Sequence, residues 1–136
     1  MARILLFWTM CLALTALTAC ASLPAEADPA LKSALSEYCD GGSECRDYKQ
    51  LGIRKMDLPN AVKLNGIEGM WCIDYNLTTR GTQQDIGGNM NTDWRDLKGA
   101  IIIGKRDSGE YYGHVESSDP GLDFDCNYMQ QSLNRG

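Results

Sequence analysis

The clearest pattern in the chain is an alternation of apolar and polar residues over residues 69–79. Large apolar side chains occupy every second position, namely Trp71, Ile73, Tyr75 and Leu77. The positions between them carry Cys72 and polar residues. A period of two predicts a half-buried strand. Burial of the four apolar side chains would contribute about 6 to 12 kcal/mol before entropy is subtracted, so we expect this strand to anchor a sheet.

Further strands are predicted towards the C-terminus. Residues 100–105 include three consecutive isoleucines, which is typical of a central strand covered on both faces. The turn sequence DSG at 107–109 leads into a predicted strand at 110–116, and DPG at 119–121 leads into another at 122–129. Three consecutive strands with short turns predict an antiparallel meander.

A helix is predicted to begin at Asp28, an N-cap residue, with Pro29 in the first turn. Its apolar stripe has helical spacing and consists of Leu31, Ala34, Leu35 and Tyr38. We expect it to end near Cys39. The pattern over 46–65 is weak, and a short strand is predicted at 61–64. The fold class is therefore α+β or mostly β, with an N-terminal helix packed on an antiparallel sheet of four to five strands and two disulfides.

Residues 80–99 form a long polar connection between two predicted strands, with one helical turn expected at 93–98. A connection of this length inside a small domain is usually functional or disordered. Met90 and Trp94 are its candidates for contacting a partner. The alternative is that Trp94 folds back over the core.

The N-terminal segment consists of Arg3 followed by an apolar run over 4–17, which predicts a secretory signal peptide. The run is too short for a membrane-spanning helix with anchoring flanks. Its last four residues, LTAC at 17–20, resemble the bacterial lipobox. The resemblance implies cleavage before Cys20, a diacylglycerol thioether on that cysteine and acylation of the new N-terminus. The alternative is ordinary secretion, with cleavage after Ala21 or Ala27.

With a lipobox, the chain divides into a signal peptide at 1–19, a tether at 20–28 and a single domain at 29–136. Ala21 stands where an aspartate would retain the protein in the inner membrane of enteric-type bacteria, so the expected location is the outer membrane, facing the periplasm or the surface. Loss of Arg3 with the signal leaves 12 basic and 18 acidic residues. This acidic chain has no basic stripe to neutralise phosphates, which argues against nucleic acid as a partner.

Four cysteines remain once Cys11 leaves with the signal and Cys20 carries lipid: Cys39, Cys45, Cys72 and Cys126. An even number in a small exported domain predicts two disulfides. Three connectivities are possible, and we expect Cys39–Cys45 and Cys72–Cys126 because the intervening DGGSE turns easily. Cys126 falls on the apolar face of its predicted strand and Cys72 on the polar face of its own, so a bulge or another pairing would be needed. A zinc site is the rival interpretation, but the chain has no CxxC pair and a single histidine.

Candidate catalytic chemistry centres on His114, the one histidine. A small exported hydrolase could pair it with Glu116, Asp123 or Asp125, although no nucleophile motif is present. The acidic group Asp119, Asp123 and Asp125 offers oxygen ligands for calcium, but its spacing does not match an EF-hand loop and favours a solvated face. No cofactor or metal is expected.

The sequence SGEYY at 108–112 resembles the S-G-x-x-Y opening of the motif in inhibitors of C-type lysozyme. These are small, disulfide-containing β-barrel proteins, often lipoproteins, in which the serine and a later lysine enter the lysozyme cleft. Here Ser108 matches the serine, but no K-G follows Tyr112, and Lys98-Gly99 lies upstream.

The sequence thus predicts an envelope lipoprotein that binds without catalysis, as an inhibitor, an immunity-type protein or an accessory factor. Its expected partners are the membrane, through the lipid, and an unidentified envelope or extracellular protein. The candidate binding residues are Met90, Trp94, Ser108, Tyr112 and His114. The alternatives are the His114 hydrolase and a purely structural lipoprotein.

Overall fold

A computed structural model describes residues 21–40, 43–81, 83–84, 86–117 and 124–136. After a 3-10 turn at Ala25–Ala27, the elements in chain order are α1 (Asp28–Asp40), β1 (Ser43–Lys55), α2 (Asn60–Leu64), β2 (Ile67–Gly81), β3 (Gln83–Gln84), β4 (Met90–Asn91), β5 (Arg95–Arg106), β6 (Tyr111–Ser117) and α3 (Cys126–Arg135). The four long strands form one antiparallel sheet in the order β1-β2-β5-β6, and β3 pairs with β4. The predicted α+β class, with a four-stranded antiparallel sheet and two disulfides, is confirmed.

The centre of the sheet is the antiparallel pair β2 and β5. Trp71 lies opposite Ile103, Cys72 opposite Ile102, and Ile73 opposite Ile101. The alternating apolar residues of β2 are buried as predicted, but Cys72 between them is buried as well. Strand β2 is therefore covered on both faces over this stretch.

Helix α1 covers one face of the sheet, which we call the α1 face. Its predicted stripe makes the contact, with Ala34 buried and Leu31, Leu35 and Tyr38 packed against the core. The helix approaches strand β6 closely at Gly113, where an added Cβ would lie 2.7 Å from the carbonyl oxygen of Ala30. A residue without a side chain is needed at that position.

The packed part of the chain extends N-terminal to α1. Ala27 is fully buried, and Leu23 packs against the same cluster. Both residues belong to the segment that the sequence predicts as a tether.

The predicted strand at 122–129 is wrong where the structure describes it, because Cys126–Arg135 form helix α3. The DPG turn at 119–121 lies outside the described residues. Asp125 caps the helix by accepting a hydrogen bond from the Tyr128 amide at 2.7 Å. The side chains that pack have helical spacing, namely Cys126, Met129 and Leu133. The alternation that predicted a strand is thus overridden by a helical stripe in the same residues.

Helix α3 covers the second face of the sheet, which we call the α3 face. Cys126 is buried there with Cys72, Ala100, Ile102 and Met56. Its backbone amide donates to the Asp74 carboxylate at 2.9 Å, which fixes the start of the helix on β2. The layers are therefore α1, sheet and α3.

The disulfides are Cys39–Cys45 and Cys72–Cys126, as predicted, so these cysteines do not form a zinc site. The expected conflict between the faces of Cys72 and Cys126 does not arise, because Cys126 approaches from a helix packed on the face to which Cys72 points. No bulge at either cysteine is required.

Three local predictions need correction. The expected strand at 61–64 is helix α2, which begins directly after Pro59. The weak pattern over 46–65 hides edge strand β1, whose register shifts at 46–49 and 50–52 break the two-residue period. The expected helical turn at 93–98 is instead the start of β5, which pairs from Arg95 onward with β2.

We predict that the two disulfides differ in their contribution to stability. Chain entropy gives roughly 4.2 kcal/mol for Cys72–Cys126 and roughly 2.4 kcal/mol for Cys39–Cys45, because the first closes the longer loop. The double variants Cys72→Ala/Cys126→Ala and Cys39→Ala/Cys45→Ala should therefore differ by about 2 kcal/mol in urea unfolding. Hydrogen exchange should show α3 losing protection only in the first variant. Equal protection of α3 in both would contradict its attachment through the long bridge.

Candidate binding site

The sheet has two ends that carry different parts of the chain. At the first, called the Trp94 end, β2 stops at Gly81 and the chain returns through β3 and β4 to Arg95. At the opposite end, called the Leu64 end, lie α2, the turn at 107–110 and the start of α1.

The structure divides the five candidate binding residues between separate surfaces. Met90 and Trp94 lie at the Trp94 end, whereas Ser108 lies in the turn at the Leu64 end. Tyr112 pairs with Gly104, ten residues along β5 from Trp94, which corresponds to roughly 33 Å of extended strand. His114 lies between them, in the middle of β6. The five residues therefore do not form one continuous surface.

Trp94 is held against the sheet by two arginines. The guanidinium carbon of Arg46 lies 3.9 Å from the ring centroid, and that of Arg80 lies 6.0 Å away. Such geometry gives a cation–π attraction of about 0.5 to 1 kcal/mol at exposed sites. Trp94 is half-buried and lies outside both apolar core clusters of the described residues, so this clasp of two arginines supplies the contacts that the described chain gives its ring.

Strand register explains why Arg46 and Arg80 meet at Trp94. Arg46 on β1 and Asp96 on β5 lie on either side of Thr78 on β2. Trp94 lies just before β5, two residues before Asp96, and its ring meets the Arg46 guanidinium. Arg80, two residues after Thr78, points to the same face as Thr78.

Polar contacts fix the neighbouring positions. The Thr78 hydroxyl donates to the Asp96 carboxylate at 2.8 Å. Arg46 is in addition 3.6 Å from the Asp47 carboxylate. Arg46 and Arg80 were not predicted as site residues, because the only signal for them is cross-strand register, which a single sequence does not display.

Two large apolar side chains are exposed on the connection that precedes Trp94. Ile86 is fully exposed, and Met90 is 65% exposed. Trp94 and these two residues all belong to the connection at the Trp94 end, and we call the three side chains the Trp94 surface. Exposed apolar groups of this kind mark candidate interaction sites.

A second group lies on edge strand β6, where Tyr112, His114 and Glu116 alternate onto the face opposite Val115. His114 Nε2 lies 3.1 Å from Glu116 Oε1, and the histidine side chain is 68% exposed. Tyr112 lies over Gly104, where an added Cβ would be 2.1 Å from its ring. The guanidinium carbon of Arg106 lies 5.0 Å from the same ring.

The carboxylates proposed for a hydrolase are placed differently. Asp119 and Asp123 lie outside the described residues. Asp125 caps α3 and borders a pocket of about 370 Å³ with Asp74 and Lys98. His114 borders a different pocket, of about 130 Å³, with Glu37 and Tyr38. The one carboxylate within ion-pair distance of His114 in the described chain is Glu116.

A buried tyrosine connects β6 to the centre of the sheet. The Tyr75 hydroxyl donates to the Glu116 carbonyl oxygen at 3.2 Å. Burial raises the pKa of Tyr75 well above its ordinary value, so the hydroxyl keeps its proton and remains a donor at neutral pH. Burial also raises the pKa of Tyr48, whose ring centroid lies 6.3 Å from that of Tyr75.

Neither a metal centre nor a membrane span is found in the part of the chain that the structure covers. Its side chains include no group of three or more acidic, histidine or cysteine residues arranged to hold an ion. None of its helices combines the length and apolar character needed to cross a bilayer.

We predict a measurable energetic coupling between Arg46 and Trp94. In a double-mutant cycle with Arg46→Met and Trp94→Leu, urea unfolding should give a coupling energy of about 0.5 to 1 kcal/mol. The matched control is Arg54→Met on the same strand, which lies opposite Cys72 and far from Trp94. Its coupling with Trp94→Leu should be close to zero. Equal coupling in the two cycles would contradict a specific clasp.

Comparison of the chain with protein-family models, with curated proteins and with solved structures found no match.

Proposed function

We propose that this protein is a bacterial envelope lipoprotein that binds another protein without catalysis, through the Trp94 surface. The observation that carries the proposal is the half-buried Trp94 clasped by Arg46 and Arg80, on a connection that also exposes Ile86 and Met90. The bound protein would be an envelope or extracellular protein on which this chain acts as an inhibitor, an immunity-type protein or an accessory factor.

The residue types of this surface suit protein recognition. Tryptophan and arginine are enriched among the residues that dominate binding energy, and methionine is enriched at interfaces generally. A tryptophan already held by Arg46 loses less side-chain freedom on binding than a free one, which lowers the entropic cost of association. Exposed Ile86 would add apolar area that water leaves on contact.

The envelope location is supported by two independent features. The apolar run at 4–17 ends in the LTAC motif, which resembles a lipobox. The domain also carries two disulfides, Cys39–Cys45 and Cys72–Cys126, and such bonds persist in oxidising compartments outside the cytosol.

Binding is favoured over hydrolysis by the surroundings of His114. Its imidazole is largely exposed on an edge strand, and its neighbouring carboxylate, Glu116, comes from the same strand. A nucleophile, its base and an orienting group usually converge from several elements into a cleft. The Trp94 surface, by contrast, already combines an ordered aromatic anchor with exposed apolar side chains.

Lipidation is expected to be visible in the mass of the mature protein. Protein extracted from membranes should begin at Cys20, carry diacylglycerol on that sulfur and lack two hydrogens for each of the two disulfides. Cys20→Ser should abolish processing at this site and release the domain from the membrane fraction. An unmodified mature chain beginning at Ser22 or Asp28 would instead establish ordinary secretion.

We expect the Trp94 surface to contact its partner directly in cells. A photoreactive phenylalanine derivative at position 90 should form a discrete protein adduct in the envelope of the native host. The same probe at Ser33, on the exposed side of α1, serves as the control and should form none.

The clasp provides a second comparison for this experiment. Trp94→Ala should reduce the adduct at position 90 by about tenfold or more, as expected for loss of a residue that dominates binding energy. His114→Ala should leave it unchanged. Equal adducts at positions 33 and 90, or an adduct that survives Trp94→Ala at full yield, would refute the proposed surface.

A further inference from the structure

We infer that the Leu64 end of the domain rests against the lipid headgroups of the membrane, which directs the Trp94 surface away from the bilayer. The inference rests on the lipid anchor at Cys20 that forms part of the proposed function. It adds an orientation and a second interaction surface, for which the partner is the bilayer itself.

Very little chain separates the anchor from the fold. Only Ala21 and Ser22 separate Cys20 from Leu23, and Leu23 packs against the core on the α1 face. Three fully extended residues span at most roughly 11 Å. A lipid on Cys20 therefore holds Leu23 within about that distance of the bilayer surface.

Leu23 lies near the Leu64 end of the sheet. It lies just before α1, whose first residues border one pocket with Lys105, Gly109 and Tyr111 at the Leu64 end. The turn at 107–110 is joined to the segment after α2 by a hydrogen bond from the Asp107 amide to the Gly66 carbonyl oxygen at 2.9 Å. The short tether therefore brings α2 and this turn close to the membrane together.

Helix α2 carries side chains that suit a membrane surface. Leu64 at its end is 88% exposed, and the neighbouring Lys63 is exposed as well. An exposed leucine finds an apolar environment in the headgroup and acyl boundary, and a lysine can keep its amine among the phosphates while its methylenes lie lower.

An orientation with the domain lying flat on α1 is less favourable. The exposed carboxylates of that helix and the preceding turn include Glu26, Asp28 and Glu37. Their one cationic neighbour on α1, Lys32, is paired with Asp28 at 2.7 Å. This acidic side would face the negative potential of anionic lipids, which repels it. Standing on the Leu64 end removes Glu37 from the headgroups, whereas Glu26 and Asp28, at the start of α1, lie near that end in either orientation.

The orientation has a consequence for binding. Strand β5 runs from Arg95 at the Trp94 end to Arg106 at the Leu64 end, which corresponds to roughly 36 Å of extended chain. The Trp94 surface would then stand well clear of the headgroups and remain accessible to a partner.

Hydroxyl-radical footprinting of the native chain tests the orientation, because it measures the oxidation of two exposed side chains, Leu64 and Ile86, at opposite ends of the sheet. The lipidated protein is reconstituted in vesicles of phosphatidylethanolamine and phosphatidylglycerol and compared with the soluble domain, residues 21–136, mixed with the same vesicles. Oxidation of Leu64 should fall by about threefold or more in the lipidated sample, as expected for insertion into the interface. Oxidation of Ile86 should stay the same.

A variant with a longer tether shows whether the short anchor is what protects Leu64 from oxidation. Insertion of about ten Gly and Ser residues between Ala21 and Ser22 gives a flexible coil and should restore much of the oxidation of Leu64. Protection of Ile86 in place of Leu64, or equal oxidation of both with lipid attached, would overturn the orientation while leaving the lipoprotein assignment intact.

The mass of the same preparation distinguishes a missing lipid anchor from a wrong orientation of the anchored domain. A chain without diacylglycerol on Cys20 would remove the anchor, and the orientation with it. Protection of Leu64 in cells but not in vesicles would assign the Leu64 end to a protein partner and would also overturn the inference.

Discussion

Strand β2 has buried side chains on both of its faces, and the rest of the structure follows from the need to cover each face with a different helix. Helix α1 covers Trp71 and the alternating apolar residues after it through a long apolar stripe. The other face is covered by α3, which is shorter and presents only three packed side chains. The Cys72–Cys126 disulfide and the bond from the Cys126 amide to Asp74 compensate for this small contact. A small domain that cannot bury a large core commonly relies on such a covalent link.

The same arrangement separates the two ends of the sheet. Helix α1 starts at the Leu64 end and finishes near the Cys39–Cys45 bridge, next to the first residues of β1 at the opposite end. The turn at Ala25–Ala27 that precedes α1 and the Trp94 surface therefore lie at opposite ends of the strands. For a protein held by a lipid at its N-terminus, this geometry presents the distal end to other molecules. The proposed binding surface and the proposed membrane contact thus fit one fold without competing for space.

Two arginines contact the Trp94 surface, although the chain as a whole is acidic. Arg46 and Arg80 come from neighbouring strands and meet only because β1 and β2 pair with Thr78 opposite Arg46. The charge of Arg46 is partly offset by Asp47, and two arginines alone are not a basic patch suited to phosphates. What the surface offers is a tryptophan in a fixed position, on a connection that also exposes apolar side chains. That combination suits a protein partner better than a nucleic acid.

The sequence by itself determined the elements whose signals are local. The alternation around Trp71, the isoleucine run of β5, the stripe of α1 and the DSG turn each predicted an element that the structure contains, because spacing along the chain sets which side chains share a face. The pairing of four cysteines was also anticipated, from the short loop between Cys39 and Cys45. Tertiary structure decided the rest. The register shifts in β1 break the two-residue alternation of its side chains. Helix α3 forms in residues whose sequence shows both apolar alternation and a helical stripe. The clasp on Trp94 depends on cross-strand register, which is set by packing between distant segments and leaves no local pattern.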